Sequence, residues 1–272
     1  MGLRINTNVA ALNAARTLRG TTRQLNTTLE RLASGLRINR AADDAAGLAI
    51  SEAFRTVIRG AAVAQRNSQD GISLVQTAEG ALSEATNILQ RMRELAVQAA
   101  NGTQSTANRV SLDLEVRQLL EQIDDIAFIT EFNGLNVLSA AQTITLQSGF
   151  REGQTIAIAV AGASTANLGV NTVGLTTIED AVSALATVDE ALQSVSELRA
   201  TFGAVQNRLE FTINSLAITE ENASASDSAL RDADIATETI QFTRTQILIS
   251  SGTAVLAQAN LVPQTALQLL GG

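Results

Sequence analysis

Apolar residues recur along much of this chain at alternating steps of three and four residues, and this spacing restricts the fold more than any other feature. The longest unbroken series joins Val75, Ala78, Leu82, Ala85, Leu89, Met92, Ala96 and Ala99. A second series recurs every seven residues at Val188, Val195, Phe202, Leu209 and Leu216. Such seams predict long helices that pack side by side, and small residues at alternate positions favour close packing. The predicted fold class is therefore mainly α, a long antiparallel helical rod or coiled-coil bundle.

Turn and capping residues divide this pattern into separate helices. The spacing predicts helices over about 5–34, 45–100 and 105–129, and a further helical stretch from Ile178 onward. Ser34-Gly35 is a C-terminal stop for the first helix, and Asp43 or Asp44 is expected to cap the second.

Four short segments depart from the helical pattern. Interruptions are expected at Asp70-Gly71 and at Ser224–Ser228. Apolar residues that alternate with polar ones near 143–160 predict a small β-hairpin. Residues 161–175, rich in Gly, Ser, Thr, Asn and Ala, predict an exposed loop.

The C-terminal helical stretch carries two apolar rows. One row joins Ile235, Phe242, Ile249 and Leu256, and the other joins Ile240, Ile247, Ala254 and Leu261. The rows are offset by two residues, about 200° around a helix, so this helix is apolar on two sides. Such a helix is normally buried, but a chain made mostly of long rods has no compact mass to cover both sides. The simplest resolution is that the two chain ends pack on each other and on other copies.

Elongated copies that join through surfaces that are not self-complementary form an open helical filament rather than a closed ring. The terminal helices are therefore expected to pack on each other and on those of other copies. The predicted assembly interface consists of Ile5, Val9, Leu12, Leu25, Leu29, Leu32, Ile240, Ile247, Ile249, Leu256 and Leu261.

The amino-acid composition excludes most catalytic chemistry. The 272 residues contain no Cys, His, Trp or Tyr, and all 19 basic residues are Arg. Thiol nucleophiles, imidazole bases, lysine Schiff bases and the common zinc sites are thus excluded. The acidic group Asp232, Asp234 and Glu238 is too closely spaced for a calcium-binding EF-hand loop, and it predicts a solvated helix start. We expect no catalytic residues, no metal site and no cofactor.

Charge is distributed unevenly along the chain, whose net charge is -8. Residues 1–66 hold ten Arg against four acids, whereas residues 67–150 hold four Arg against ten acids. This asymmetry suits packing between the ends or between copies. A nucleic-acid patch in the basic segment is disfavoured because only Phe54 could stack on a base. No apolar run approaches the roughly 20 residues of a membrane span, so no membrane partner is expected.

Longer sequence runs resemble bacterial flagellin. The matching runs occur in the family's order at both ends, among them Ile5–Asn8, Arg31–Asn39, Asp43–Ile50, Arg66–Ser73, Thr77–Leu82, Leu89–Gln98, Glu131–Gly134, Gly203–Leu209, Thr243–Leu248, Ala257–Asn260 and Pro263-Gln264. Such a set is far more specific than any single short motif. The outer, variable domains of the longest family members are missing, and only residues 161–177 stand where they would be inserted.

The resemblance implies a structural filament subunit that polymerises for swimming motility. It places 1–44 with 226–272 in the inner tube, where the terminal helices form an inner coiled coil. It places 45–225 in a helical rod domain that includes the β-hairpin. It also implies secretion to the extracellular flagellum without a cleaved signal peptide. The implied partners are other copies of the chain, the type III export apparatus and an export chaperone, the filament cap and the hook-junction proteins.

Flagellins of many bacteria are also bound by a host innate immune receptor through the rod domain. The resemblance carries these contacts to Arg91 and Leu95, and spacing alone adds Glu115. Two alternatives to the filament subunit stay open: a hook–filament junction protein of the same family, and a closed coiled-coil oligomer without filament growth. An enzyme-bearing relative would need a catalytic insert, for which this chain has no room.

Overall fold

The computed structural model describes the backbone of residues 7–270 and the side chains of residues 7–261. This part of the chain forms five helices and four short strands: α1 (Val9–Ser34), α2 (Ala45–Ala100), α3 (Thr106–Ile129), β1 (Glu131–Phe132), β2 (Leu135–Asn136), β3 (Gln142–Gln147), β4 (Thr155–Val160), α4 (Ile178–Arg231) and α5 (Ile235–Leu270). The mainly α fold class predicted from the apolar spacing is confirmed.

The chain divides into two compact units. The central unit is the continuous segment Val57–Glu221, and the terminal unit combines the residues up to Thr56 with those from Asn222 onward. Both boundaries fall inside helices, in α2 and in α4. The division predicted from the sequence, 1–44 with 226–272 against 45–225, concerns layers of a filament and stays a prediction.

The core of the central unit is built on the predicted heptad seams. Every residue of the α2 series from Val75 to Ala99 is buried, as is the α4 series from Val188 to Leu216. On α3, Val116 and Ile123 are buried against the same cluster. Ion pairs outside this core join α2 to α4 in antiparallel register. Arg93 pairs with Asp189 at 2.7 Å, and Glu79 pairs with Arg199 at 3.6 Å.

Two antiparallel hairpins lie between α3 and α4 in the sequence. The predicted β-hairpin is β3 paired with β4, in which Ile144 faces Ile158 across the ladder. A shorter hairpin, β1 with β2, was not predicted. Its two-residue turn places Asn133 and Gly134 at positive φ, as a type I′ turn requires.

The segment 161–175 is not the exposed loop that its composition predicts. Ser164, Thr165 and Val170 are buried. The backbone N–H and the hydroxyl of Thr165 both donate to the Asp124 carboxylate, each at 2.8 Å. The N–H of Leu175 donates to Asp113 at 2.8 Å. Two carboxylates of α3 thus hold this segment, hereafter the strap, against the core.

The expected helix boundaries are partly correct. Asp44, one of the two expected caps, caps α2 by accepting a hydrogen bond from the N–H of Gly47 at 2.9 Å, and Ser105 caps α3. The interruptions expected at Asp70-Gly71 and Ser224–Ser228 are wrong, because α2 and α4 run through both. Gly71 is buried at a place where a Cβ would collide with Leu146, so this glycine permits packing rather than a turn.

Candidate assembly surface

The terminal unit is organised by antiparallel pairing of α1 with α5. The side-chain amide of Asn8 donates to the carbonyl of Ala259 at 2.8 Å near one end of the pair. Arg31 forms an ion pair with Glu238 at 3.1 Å near the other end. Asn8 also caps α1, because its side-chain oxygen accepts the N–H of Ala11. The two helices are therefore held in a single register within one chain.

The inward side of this pair uses one of the two apolar rows of α5. Ile249 and Leu256, with Phe242 of the same row, are only half-exposed. Leu25 and Leu32 of α1 are half-exposed in the same way. Thr28 of α1 and Thr245 of α5 are fully buried. Their small side chains allow the backbones of α1 and α5 to lie close together.

The other row of α5 points outward. Ile240 is 70% exposed, Ile247 59% and Leu261 49%. Val9, Leu12 and Leu29 of α1 are exposed as well. The outward stripe, by which we mean these exposed residues, is the larger part of the predicted interface, whereas Leu25, Leu32, Ile249 and Leu256 serve the contact within the chain. Ile5 of the prediction lies outside the described residues.

Sequence reasoning missed two members of the outward stripe. Leu248 and Val255 of α5 are 49% and 59% exposed, and each lies one position past a member of a heptad row. Apolar residues spaced seven apart do not include these two positions. On a helix, residues eight apart also lie on nearly the same side, and this spacing connects Ile240 to Leu248 and Ile247 to Val255.

The outward stripe leaves large apolar side chains in contact with water. Removing the side chain of one Ile or Leu from water stabilises a contact by roughly 1.5–3 kcal/mol. Between Ile240 and Leu248 the stripe forms a shallow depression of about 440 Å³ along α5. Contiguous exposed apolar surface of this kind marks a protein–protein contact.

A short β-bridge closes the terminal unit at the ends of α1 and α4. Leu36 pairs with Asp232, and the N–H of Arg37 donates to the Arg231 carbonyl at 2.7 Å. The N–H groups of Arg40 and Asn39 donate to the carboxylate of Asp43, which lowers the pKa of Asp43 below its ordinary value of 3.8. The bend between α1 and α2 is therefore fixed by hydrogen bonds.

The acidic group near residue 234 has structural roles. The carboxylate of Asp234 accepts from the N–H groups of Ala236 and Thr237 and caps α5. Asp232 accepts from Ser228, and Glu238 pairs with Arg31. The predicted helix start is therefore correct. Among residues 7–270, no group of three or more acidic side chains is arranged to hold a metal ion.

The predicted receptor residues lie on the central unit. Arg91 donates through two nitrogens to Glu115, at 2.8 and 3.0 Å, and through a third to Glu94 at 3.1 Å. These hydrogen bonds raise the pKa of Arg91. Leu95 is only 1% exposed, so its side chain belongs to the core of the central unit.

No helix in the described part of the chain is both long and apolar enough to cross a membrane. The fold and the stripe define a class of protein: one built mainly of long helices, whose paired terminal helices leave an apolar stripe exposed.

Comparison with known proteins agrees with this class. Residues 5–143 match the family model described as the bacterial flagellin N-terminal helical region, and residues 185–270 match the C-terminal helical region. A flagellin of Halalkalibacterium halodurans is 48% identical over 269 residues, which cover 98% of this chain and 99% of that one. A flagellar filament 33 kDa core protein of Treponema phagedenis is 44% identical over 283 residues, with 98% and 99% covered.

One solved structure is similar in sequence over a smaller part. The crystal structure of Bacillus cereus flagellin matches with a TM-score of 0.48 and 36% identity, covering 56% of this chain and 88% of that one.

The chain belongs to the bacterial flagellin family. It is a structural subunit of the flagellar filament and not an enzyme. The resemblance inferred from the sequence runs is confirmed.

Proposed function

We propose that copies of this chain join through the outward stripe into an open helical homopolymer, with the paired α1 and α5 lining its inside and the rod domain around them. The observation that carries the proposal is that α5 has two apolar sides and the described part of the chain covers only one of them. Ile240 and Ile247 are exposed while Ile249 and Leu256 pack within the chain. A second copy is the partner whose chemistry fits, since it presents the same apolar helices.

The proposal also covers the route to the filament. Membership of the flagellin family supports secretion without a cleaved signal peptide, through the flagellar export apparatus and with an export chaperone. It likewise supports contacts with the filament cap and the hook-junction proteins, in an extracellular filament.

The test compares two variants that each place a negative charge at an apolar position of α5, one in the outward stripe and one on the side that faces α1. Ile247→Asp is expected to raise the critical concentration for filament growth by about tenfold or more, because assembly would bury an unpaired charge. Its monomer is expected to melt like the parent, since Ile247 is 59% exposed. Ile249→Asp is expected to lower the melting temperature first, because it breaks the contact with α1.

Gln246→Asp is the matched control, because it adds the same charge at the neighbouring exposed position. Growth is measured by sedimentation and by electron microscopy of seeded parent chain. If the parent chain forms only small oligomers of fixed size, a closed coiled-coil oligomer would be favoured. If it adds only a few copies to the ends of existing filaments and then stops, a hook–filament junction protein would be favoured. Unchanged growth of Ile247→Asp would contradict the stripe as the interface.

We further propose that Arg91 and Glu115 contribute to binding by a host innate immune receptor. The supporting observation is that both side chains are held by each other at an exposed position. Arg91→Ala is expected to weaken receptor signalling by the purified monomer. Signalling equal to that of the parent would reject this role.

A further inference from the structure

The central unit carries an exposed apolar cluster at the C-terminal end of α3. Phe128 is 61% exposed, Ile129 74% and Leu135 42%. The amide of Asn136 donates to the carbonyl of Phe128, which ties the β1–β2 hairpin to the end of the helix. A large part of each of these apolar side chains is exposed, and we call Phe128, Ile129 and Leu135 the knob.

The surroundings of the knob are acidic. Asp125 lies three residues before Phe128 and four before Ile129, so it shares their side of α3. Glu121 and Glu131 are exposed near it, and Glu84 of α2 lines a depression together with Ile129. The sequence from Gln118 to Phe150 has four acids and no basic residue.

A second apolar surface lies where the β3–β4 loop meets α4. Phe150 packs against the buried cluster of Ala61, Ala64 and Leu216. Beside it, a depression of about 630 Å³ is lined by the loop and by α4, and Phe211 on its edge is 75% exposed. We call this depression the groove.

The surroundings of the groove are basic. Arg208 lines it. On the α2 side of Phe150, a second depression is lined by Arg59 and Arg151, with Glu152 as its one acid. The guanidinium of Arg151 also lies over the Phe150 ring, 5.4 Å from its centre. Knob and groove therefore match in two respects: each is apolar at its centre, and their rims carry opposite charge.

We propose that the knob of one copy docks into the groove of a second copy of this chain. The proposal rests on the polymer proposed above and names a contact between central units within it. Knob and groove are different surfaces, so every copy offers one of each and the contact can repeat from copy to copy along an open polymer. The opposite rims favour this pairing over knob on knob or groove on groove, which would place like charges together.

The absence of cysteine from the chain gives a direct test. A full-length chain with both Ile129→Cys and Ser215→Cys is grown into filaments and oxidised. A disulfide forms only when the two Cα atoms approach within about 7 Å, so docking predicts a ladder of covalent oligomers on denaturing gels. Either single variant is expected to give no ladder. Ile129→Cys with Ser196→Cys, an exposed α4 position outside the groove, is the matched control.

Charge exchange provides an independent measurement on assembly. Asp125→Arg and Arg208→Asp are each expected to raise the critical concentration about tenfold, and the double variant to return it to within about twofold of the parent. Glu190→Arg, an exposed position on α4 away from both surfaces, is expected to assemble like the parent. Urea unfolding of each monomer checks that the fold is unchanged.

The outcomes separate the two proposals. Parent filaments that give no ladder with the 129/215 pair, or additive rather than compensating charge variants, would overturn the knob–groove contact alone. A ladder equally strong in the Ser196 control would overturn it as well. A parent chain that never forms filaments would overturn the polymer and this contact together.

Discussion

Two carboxylates of α3, those of Asp113 and Asp124, accept hydrogen bonds from the strap inside the central unit. Asp113 accepts from the N–H of Leu175 and from the guanidinium of Arg117, both at 2.8 Å, and Asp124 accepts twice from Thr165. A buried backbone N–H costs free energy unless it has an acceptor. These two side chains therefore help to hold the strap against the core, together with the N–H of Ala163, which donates to the Leu138 carbonyl at 2.8 Å.

Asp124→Ala is expected to destabilise the central unit by about 1–3 kcal/mol, because the N–H and the hydroxyl of Thr165 lose their acceptor. Asp125→Ala, at the neighbouring exposed position, is expected to change stability by less than about 0.5 kcal/mol. Urea unfolding of both variants measures the difference. Equal effects would show that Asp124 does not hold the strap.

The lowered pKa of Asp43 gives the bend after α1 a dependence on pH. The folded pKa lies below the ordinary value of 3.8, so the ionised carboxylate stabilises the bend above that value, and the contribution is lost as pH falls below 3.8 through the folded pKa. Hydrogen-exchange protection of the Arg40 N–H is the local measurement.

Asp43→Asn removes the charge but keeps an acceptor oxygen. We expect this variant to show weaker protection of the Arg40 N–H than the parent near neutral pH, and the gap to close in acid below pH 3.8. A gap that persists at the lowest pH would mean that the charge of Asp43 is not the cause.

At the scale of whole elements, the sequence predicts most of the fold and misses its exceptions for identifiable reasons. The heptad seams of α2 and α4 are local patterns, so spacing alone locates them. Gly71 and the strap depend on distant partners: Leu146 occupies the space beside the glycine, and Asp124 satisfies Thr165. Composition marks glycine- and serine-rich segments as loops because it contains no information on such contacts.

The apolar rows of the candidate assembly surface were predictable from the sequence, but their orientation was not. Two apolar rows on α5 follow from the sequence, but which row faces α1 does not. That choice depends on register, which Asn8 with Ala259 and Arg31 with Glu238 set at the two ends. The effect of replacing a glycine of α2 likewise depends on which distant residues lie beside it.

Gly60 and Gly80 of α2 are expected to respond in opposite ways to alanine. A Cβ at Gly60 would lie 2.7 Å from the Cβ of Phe150, whereas one at Gly80 would meet nothing within 4 Å. Gly60→Ala is expected to cost about 1–3 kcal/mol by overpacking, and Gly80→Ala to stabilise by about 0.5–1 kcal/mol by reducing backbone entropy. Thermal unfolding followed by circular dichroism tests the pair, and two changes of the same sign would contradict the packing of Phe150.

At the scale of the whole molecule, the two units differ in how much of their apolar surface they bury within the chain. The central unit buries long seams within one continuous segment, whereas the terminal unit joins both chain ends and leaves the outward stripe exposed. A unit with its own core can fold alone. Helices with an unpaired apolar side gain their remaining stability when a partner covers it.

The fragment 57–221 is therefore expected to fold cooperatively and yet form no filaments, because it keeps the core but lacks α1, α5 and the outward stripe. Circular dichroism and hydrogen exchange compare its α3 and strap amides with those of the full chain, and sedimentation after seeding measures growth. The full chain carrying Gln246→Asp, which keeps every element, is the growth control. Filaments from the fragment alone would show that contacts between central units suffice, and a fragment without protected amides would show that this core needs the terminal unit to form.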